Sequence, residues 1–99
     1  MDVAYATTEL ERQCTDERYM KKRLGADVAK TLKRRIAELR YATELEDLRY
    51  GTGRWEELRG DRAGTWSARL TANWRLIIRP EQRASITVVI IEIVDYHRR

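Results

Sequence analysis

The hydrophobic period of this chain changes from that of helices to that of strands across Gly51-Thr52-Gly53, and that change restricts what it can fold into. Before the break, apolar residues recur at helical spacing; after it, they alternate as in strands. The clearest helix carries Val28, Leu32, Ile36 and Leu39 at spacings of four, four and three, which places them on one face. Lys30, Lys33, Arg34 and Glu38 fall on the opposite, solvated face. Upstream, Thr8-Glu9-Leu10-Glu11 has the form of a capping box. It predicts a helix to about residue 24 that turns Leu10, Cys14 and Leu24 inward, with Thr15-Asp16 as a point of interruption. Gly25 stands where a left-handed cap residue belongs. Residues 3–6 alternate weakly, as a short first strand would. Thr43-Glu44-Leu45-Glu46 repeats the capping form and predicts a short helix with Leu45 and Leu48 inward.

Beyond the break, residues 55–59 form a candidate strand, followed by the turn Gly60-Asp61-Arg62-Ala63-Gly64. Over 65–71, Trp66, Ala68 and Leu70 oppose Ser67, Arg69 and Thr71. Over 74–79, Trp74, Leu76 and Ile78 oppose Arg75, Ile77 and Arg79, and Pro80 with Glu81-Gln82-Arg83 is expected to close that strand. Residues 86–94 are the most β-branched run in the chain and read as a central strand buried on both faces. The expected order is β-α-α-β-β-β-β: an α+β domain over residues 1–99, with two N-terminal helices packed on a twisted, mostly antiparallel sheet.

At 99 residues there is room for one small core and none for a separate cofactor domain. One Cys excludes an internal disulfide framework and points to a reducing compartment. The longest uncharged run, 84–91, is far below the ~20 residues that span a bilayer, and Met1-Asp2-Val3 does not read as the start of a signal peptide. The net charge of +4 is unevenly distributed, and every basic residue after position 50 is Arg. Between 58 and 79, Arg59, Arg62, Arg69, Arg75 and Arg79 face Asp61 alone. Arginine grips phosphate with a planar fork and keeps its charge near neutrality, so an anionic partner such as nucleic acid is expected.

If the two apolar faces share one core, strand phase brings Arg69 and Arg75 to one side of adjacent strands, where they either straddle a phosphate, with Arg59 and Arg62 bracketing the preceding turn, or form a ladder of unrelated exposed charges. The only His, His97, follows Asp95-Tyr96 directly after the central strand, and its ordinary pKa suits proton transfer near neutrality. Trp66 and Trp74 share the phase of core residues, whereas Trp55 is open to core packing or base stacking. Cys14 has no nearby ligand or base partner and reads as a small buried residue, so no metal site is expected. Arg59-Gly60-Asp61 spells an adhesion tripeptide, but nothing else here suggests secretion.

Three blocks, Glu57-Leu58-Arg59-Gly60-Asp61-Arg62-Ala63-Gly64-Thr65-Trp66-Ser67, Ala72-Asn73-Trp74-Arg75-Leu76-Ile77 and Glu92-Ile93-Val94-Asp95-Tyr96-His97, together resemble the HigB-type toxins of the RelE/ParE superfamily. Their order and gaps fit, and the resemblance spans nearly the whole chain. It implies a RelE-like, microbial RNase-like fold. It further implies a cytoplasmic endoribonuclease of a bacterial type II toxin–antitoxin system, cutting mRNA in the ribosomal A site by attack of the ribose 2′-hydroxyl. No metal or other cofactor is implied. The expected partners are the ribosome with its mRNA and a helix-turn-helix, HigA-like antitoxin; no membrane partner is expected.

Carried onto this sequence, the resemblance implies catalysis by His97, Arg75, Arg69 and Arg59. RNA would be seated by Arg62, Asn73 and Tyr96, and Asp95 would order the C-terminal segment. Two departures stand out. Arg59 occupies a position where the family commonly has Lys, and Arg is a poor proton donor or acceptor. Arg98-Arg99 also follow the histidine, where the family often ends. Two other readings are a ParE-like inhibitor of gyrase without nuclease chemistry, and a basic RNA-binding module without turnover.

Overall fold

A single carboxylate divides the first helical stretch. In the computed structural model, which describes residues 1–82 and 86–96 and only the backbone at Gln82 and Ile86, Asp16 ends α1 (Thr8–Thr15) and caps α2 (Glu17–Leu24). Its Oδ1 accepts from the Tyr19 amide at 3.1 Å, and its extended backbone (φ −103°, ψ 105°) turns the chain between the helices. One long first helix therefore becomes two, because an Asp side chain satisfies the exposed amides of a helix start better than it continues a helix. The cap of α1 also lies one residue earlier than the capping-box spacing suggests: Thr7 Oγ1 accepts from the Leu10 amide at 3.0 Å. Gly25 joins α2 to α3 (Ala26–Tyr41) at φ +87°, ψ 163°, a conformation open essentially to glycine alone.

After α3, Leu45–Tyr50 forms a 3-10 helix rather than an α-helix. Asp47 Oδ2 gathers the amides of Thr43 and Glu44 and the Thr43 hydroxyl, and that hydroxyl bond holds the Asp47 carboxyl below its usual pKa. The sheet follows: β1 (Asp2–Tyr5), β2 (Glu56–Glu57), β3 (Trp66–Arg69), β4 (Trp74–Gln82) and β5 (Ile86–Asp95), in the spatial order β1-β5-β4-β3-β2. β1 runs parallel to β5 and the other three pairings are antiparallel. A further 3-10 turn, Gly60–Arg62, lies between β2 and β3. Among the described residues no helix is long and apolar enough to cross a membrane.

Two strand boundaries differ from the sequence expectation. β2 keeps only two residues of the 55–59 stretch, since Trp55 turns into the core. β4 does not stop at Pro80, which pairs with Val88 and is followed by Glu81 opposite Thr87. Past Ile78 the described strand is flanked by β5 alone, and an edge of this kind tolerates a residue without an amide hydrogen. The expected turn residue Arg83 lies outside the described residues.

The helices cover one face of the sheet. Val28, Ala29, Leu32, Ile36 and Leu39 of α3 pack with Cys14, Met20 and Leu48 against Trp55, Trp66, Ala68, Leu70, Leu76, Ile78, Val88 and Ile90. All three tryptophans are thus core or core-flanking residues, with Trp74 partly buried; base stacking by Trp55 is set aside. Burial pushes the Cys14 thiol up to about 12. Since folding raises this pKa from 9.0, the associated stability is whole below pH 9 and is lost as pH climbs toward 12. Native protein at pH 8 is expected to resist iodoacetamide and to take up one label once denatured. Rapid labelling of folded protein, read by mass spectrometry, would contradict the burial.

Candidate active site

The face of the sheet away from the helices carries the unbalanced charge. Its geometry follows from register. Glu56 of β2 stands opposite Ser67 of β3, Ser67 opposite Ile77 of β4, and Ile77 opposite Glu92 of β5. One row further along, Arg69 stands opposite Arg75, and Arg75 opposite Val94. Arg54, Glu56, Ser67, Arg69 and Arg75 together line a cavity of about 230 Å³. Ser67 and Ile77 are buried, so this is a recess in the sheet rather than a flat surface.

Arg69 and Arg75 are therefore brought together as their strand phase suggests. They differ in how they are held. The Nη1 of Arg75 donates to the carbonyls of Thr71 (2.9 Å), Ala72 (3.0 Å) and Trp74 (3.0 Å), and its guanidinium stands 5.5 Å from the centre of the Tyr96 ring. One corner of the fork is thus anchored in the β3–β4 turn, and Nε and Nη2 are left without a hydrogen bond among the described residues. The Arg69 side chain is exposed and has no ion-pair partner among them. Its backbone is held on both sides: the amide donates to Gly53 O, and the carbonyl accepts from Arg35 Nε, each at 3.0 Å.

Three contributors were not legible as site residues. Arg54 lines the recess from the loop before β2, with its backbone in the left-handed region (φ +51°), which is uncommon for a residue with a side chain of this kind. Glu56 supplies the recess with its single carboxylate, and Ser67, a buried residue, supplies a hydroxyl. The strand alternation across Trp66 puts Ser67 beside Arg69, but only the β2–β3 register puts Glu56 next to Ser67.

The remaining expected residues fall at varying distances from the recess. Arg59 lines a neighbouring groove with Arg49, Glu57, Leu58, Gly60, Ala63 and Gly64, and that groove shares Glu56 with the recess. Arg62 is bound to Glu92 at 2.7 Å across the outer face. The side chains are 45% and 40% exposed, so water screens the pair and it adds no more than ~1 kcal/mol. Asn73 is an exposed turn residue whose carbonyl accepts from the Tyr96 amide at 2.9 Å, which ties the end of β5 to the β3–β4 turn. Asp95 stands opposite Trp74. His97, Arg98 and Arg99 lie outside the described residues. Among the described residues, no cluster of three or more His, Cys, Asp or Glu side chains has the form of a metal site.

Chemically, the recess offers three guanidinium groups, one carboxylate and one hydroxyl around a cavity of about 230 Å³. Such an arrangement suits an anion with two faces: charge to be neutralised by the arginines, and a proton to be taken by the carboxylate.

No protein-family model matches the chain, and no curated protein matches it by sequence. Solved structures do. The chain is similar to the YoeB/ParE toxin from Agrobacterium tumefaciens, with 23% identity and a TM-score of 0.65 over 96% of this chain and 98% of that one. It is also similar to YafQ from E. coli strain BL21(DE3), with 14% identity and a TM-score of 0.62 over 98% and 94%. The third is the YoeB–YefM toxin–antitoxin from Staphylococcus aureus, solved as a heterotetrameric complex, with 16% identity and a TM-score of 0.63 over 98% and 97%. The α+β fold expected from the sequence is thus the fold these three solved structures share with the chain.

Proposed function

We propose that this chain is the toxin of a type II toxin–antitoxin system, of HigB type, and that it cleaves mRNA on the ribosome by intramolecular attack of a ribose 2′-hydroxyl. The observation that carries the reading is the recess itself: Arg54, Arg69 and Arg75 around one carboxylate, on a sheet with the toxin fold. The substrate brings its own nucleophile, so the protein has three tasks. A base must take the 2′-proton, cations must stabilise the charge that builds on phosphorus, and an acid must protonate the departing 5′-oxygen. Glu56 is the base available in the recess. Arg69 and Arg75 are the stabilisers. His97, which follows Tyr96 in sequence, is the acid in this scheme. Arg59 in the adjoining groove binds the RNA backbone and moves no proton, and Arg62, Asn73 and Tyr96 flank the strand path.

An open recess on a small sheet encloses little of a substrate, which is why we assign the remaining enclosure to the ribosome. The antitoxin assignment is supported by the S. aureus complex, whose YoeB is bound to YefM; for this chain we propose a helix-turn-helix, HigA-like partner and a cytoplasmic site of action. A ParE-like action on gyrase is the second reading, because one similar structure is described as a YoeB/ParE toxin. Mapping 5′ ends of cellular mRNA after brief expression separates them. Codon-phased new ends, absent in a His97→Ala variant, are expected. DNA breaks without new RNA ends would replace the nuclease reading with the gyrase one.

A further inference from the structure

Arg35 and Glu38 lie one turn apart on α3, with side chains only 9% and 20% exposed. The helical pattern places Glu38 on the solvated face; instead it forms a close ion pair with Arg35 Nη1. That nitrogen also donates to Thr52 Oγ1 at 3.2 Å, and Arg35 Nε donates to the carbonyl of Arg69 at 3.0 Å. On the other side, Glu38 Oε2 accepts from the Gly53 amide at 3.3 Å, and the Gly53 carbonyl accepts from the Arg69 amide at 3.0 Å. The pair therefore closes a ring that holds Gly53 and Arg69 by both their backbone groups. Gly53 immediately precedes Arg54, so two of the three arginines lining the recess are referred to one buried unit.

Two further observations show how tightly the loop is held. A Cβ at Gly53 would stand 2.6 Å from Trp55 Nε1, 2.8 Å from Glu38 Oε1 and 2.9 Å from Arg35 Cδ, so only glycine lets the loop approach this closely. The next residue is the left-handed Arg54, a conformation that persists only where its surroundings determine it. Stability is a poor account of the pair, since apolar residues of similar volume fill such a space without desolvating two charges.

We propose that the Arg35–Glu38 pair is a positioning unit that sets Arg54 and Arg69 across the recess at the spacing a phosphodiester requires. The proposal rests on the reading of the recess as the RNA phosphate site, and its test has one readout that is independent of cleavage. In the Arg35→Met, Glu38→Met double variant of the full chain, neither charge is left alone. Circular dichroism and cooperative melting are expected to persist. Amide exchange at Arg69 should accelerate about tenfold or more while core amides such as Leu76 keep their protection. The kcat for ribosome-bound mRNA should fall by about 10- to 100-fold with KM changed by no more than about twofold, as misplacement of a charge stabiliser predicts. Arg35→Lys, which keeps the charge but loses the Nε donor, should fall between the two.

Unchanged exchange at Arg69 overturns the tether, and unchanged kcat in a folded, loosened variant overturns the positioning role. If the wild-type protein cleaves no RNA, the reading of the recess falls, and Arg69 exchange alone then decides whether the unit exists. Should the double variant not fold, Gly53→Ala leaves both charges in place, displaces the loop and is read by the same two measurements.

Discussion

Arg69→Ala is expected to lower the rate of mRNA cleavage by about 10²–10³-fold, the usual cost of removing one well-placed group that stabilises transition-state charge. The fold should hardly notice. The side chain is exposed and unpaired among the described residues, while the contacts that fix β3 at this point are made by the Arg69 backbone, which alanine keeps. Unfolding free energy should therefore stay within about 0.5 kcal/mol of the wild type. Arg69→Lys restores a charge without the planar fork and is expected to recover only part of the rate. Cleavage of a translated message, measured beside thermal unfolding, checks both statements. A folded Arg69→Ala protein that cuts at the wild-type rate would remove Arg69 from the mechanism.

Arg75→Ala should cost activity on the same scale and, unlike Arg69→Ala, stability as well. Its Nη1 gathers three carbonyls of the β3–β4 turn, those of Thr71, Ala72 and Trp74. Hydrogen bonds from a charged donor contribute about 1.5–3 kcal/mol, and the solvent-facing Ala72 carbonyl can turn to water instead, so a loss near the lower end is expected. In a domain of this size each kcal/mol lowers the melting midpoint by about 4–8 °C. The turn also accepts the Tyr96 amide through Asn73, so loosening it should raise amide exchange at Tyr96. The two arginines thus form a paired test: equal effects on rate, unequal effects on melting. Equal melting temperatures for the two variants would show that the Arg75 bonds to the turn contribute nothing to the folded state.

The outer pair Arg69–Arg75 was legible from the sequence because it depends on a local property. Alternation across Trp66-Ser67-Ala68-Arg69-Leu70 and Trp74-Arg75-Leu76 assigns each side chain to a face whatever the strand pairs with. The apolar stripe of α3 was legible for the same reason, and so was the β-branched β5. Alternation does not say how deep a face lies, and Ser67 and Ile77 are buried on the face that the pattern treats as solvent.

What stayed hidden depends on approach between distant segments. Glu56 enters the recess because β2 pairs with β3 in a register that sets it opposite Ser67. Arg54 enters because the loop before β2 is pinned to a helix fifteen and more residues upstream. Glu38 looks solvated on a helical wheel, and only the loop lying over it makes it a buried partner of Arg35. Pro80 reads as a strand end until β4 is seen to be an edge on that side.

The amino-acid sequence alone therefore settled the class, α+β, the inward face of α3 and β3–β5, and the concentration of arginine in the strand half. Each of these is written in the spacing of neighbours along one segment, where burial and backbone geometry repeat with a fixed period. The tertiary structure decided which charges share a cavity, which are spent on one another, as Arg62 is on Glu92, and which are held in place by buried groups behind them. Those outcomes turn on register and on contacts across tens of residues. Free energy there comes from packing and from matched hydrogen bonds between segments, and a one-dimensional pattern carries no record of either.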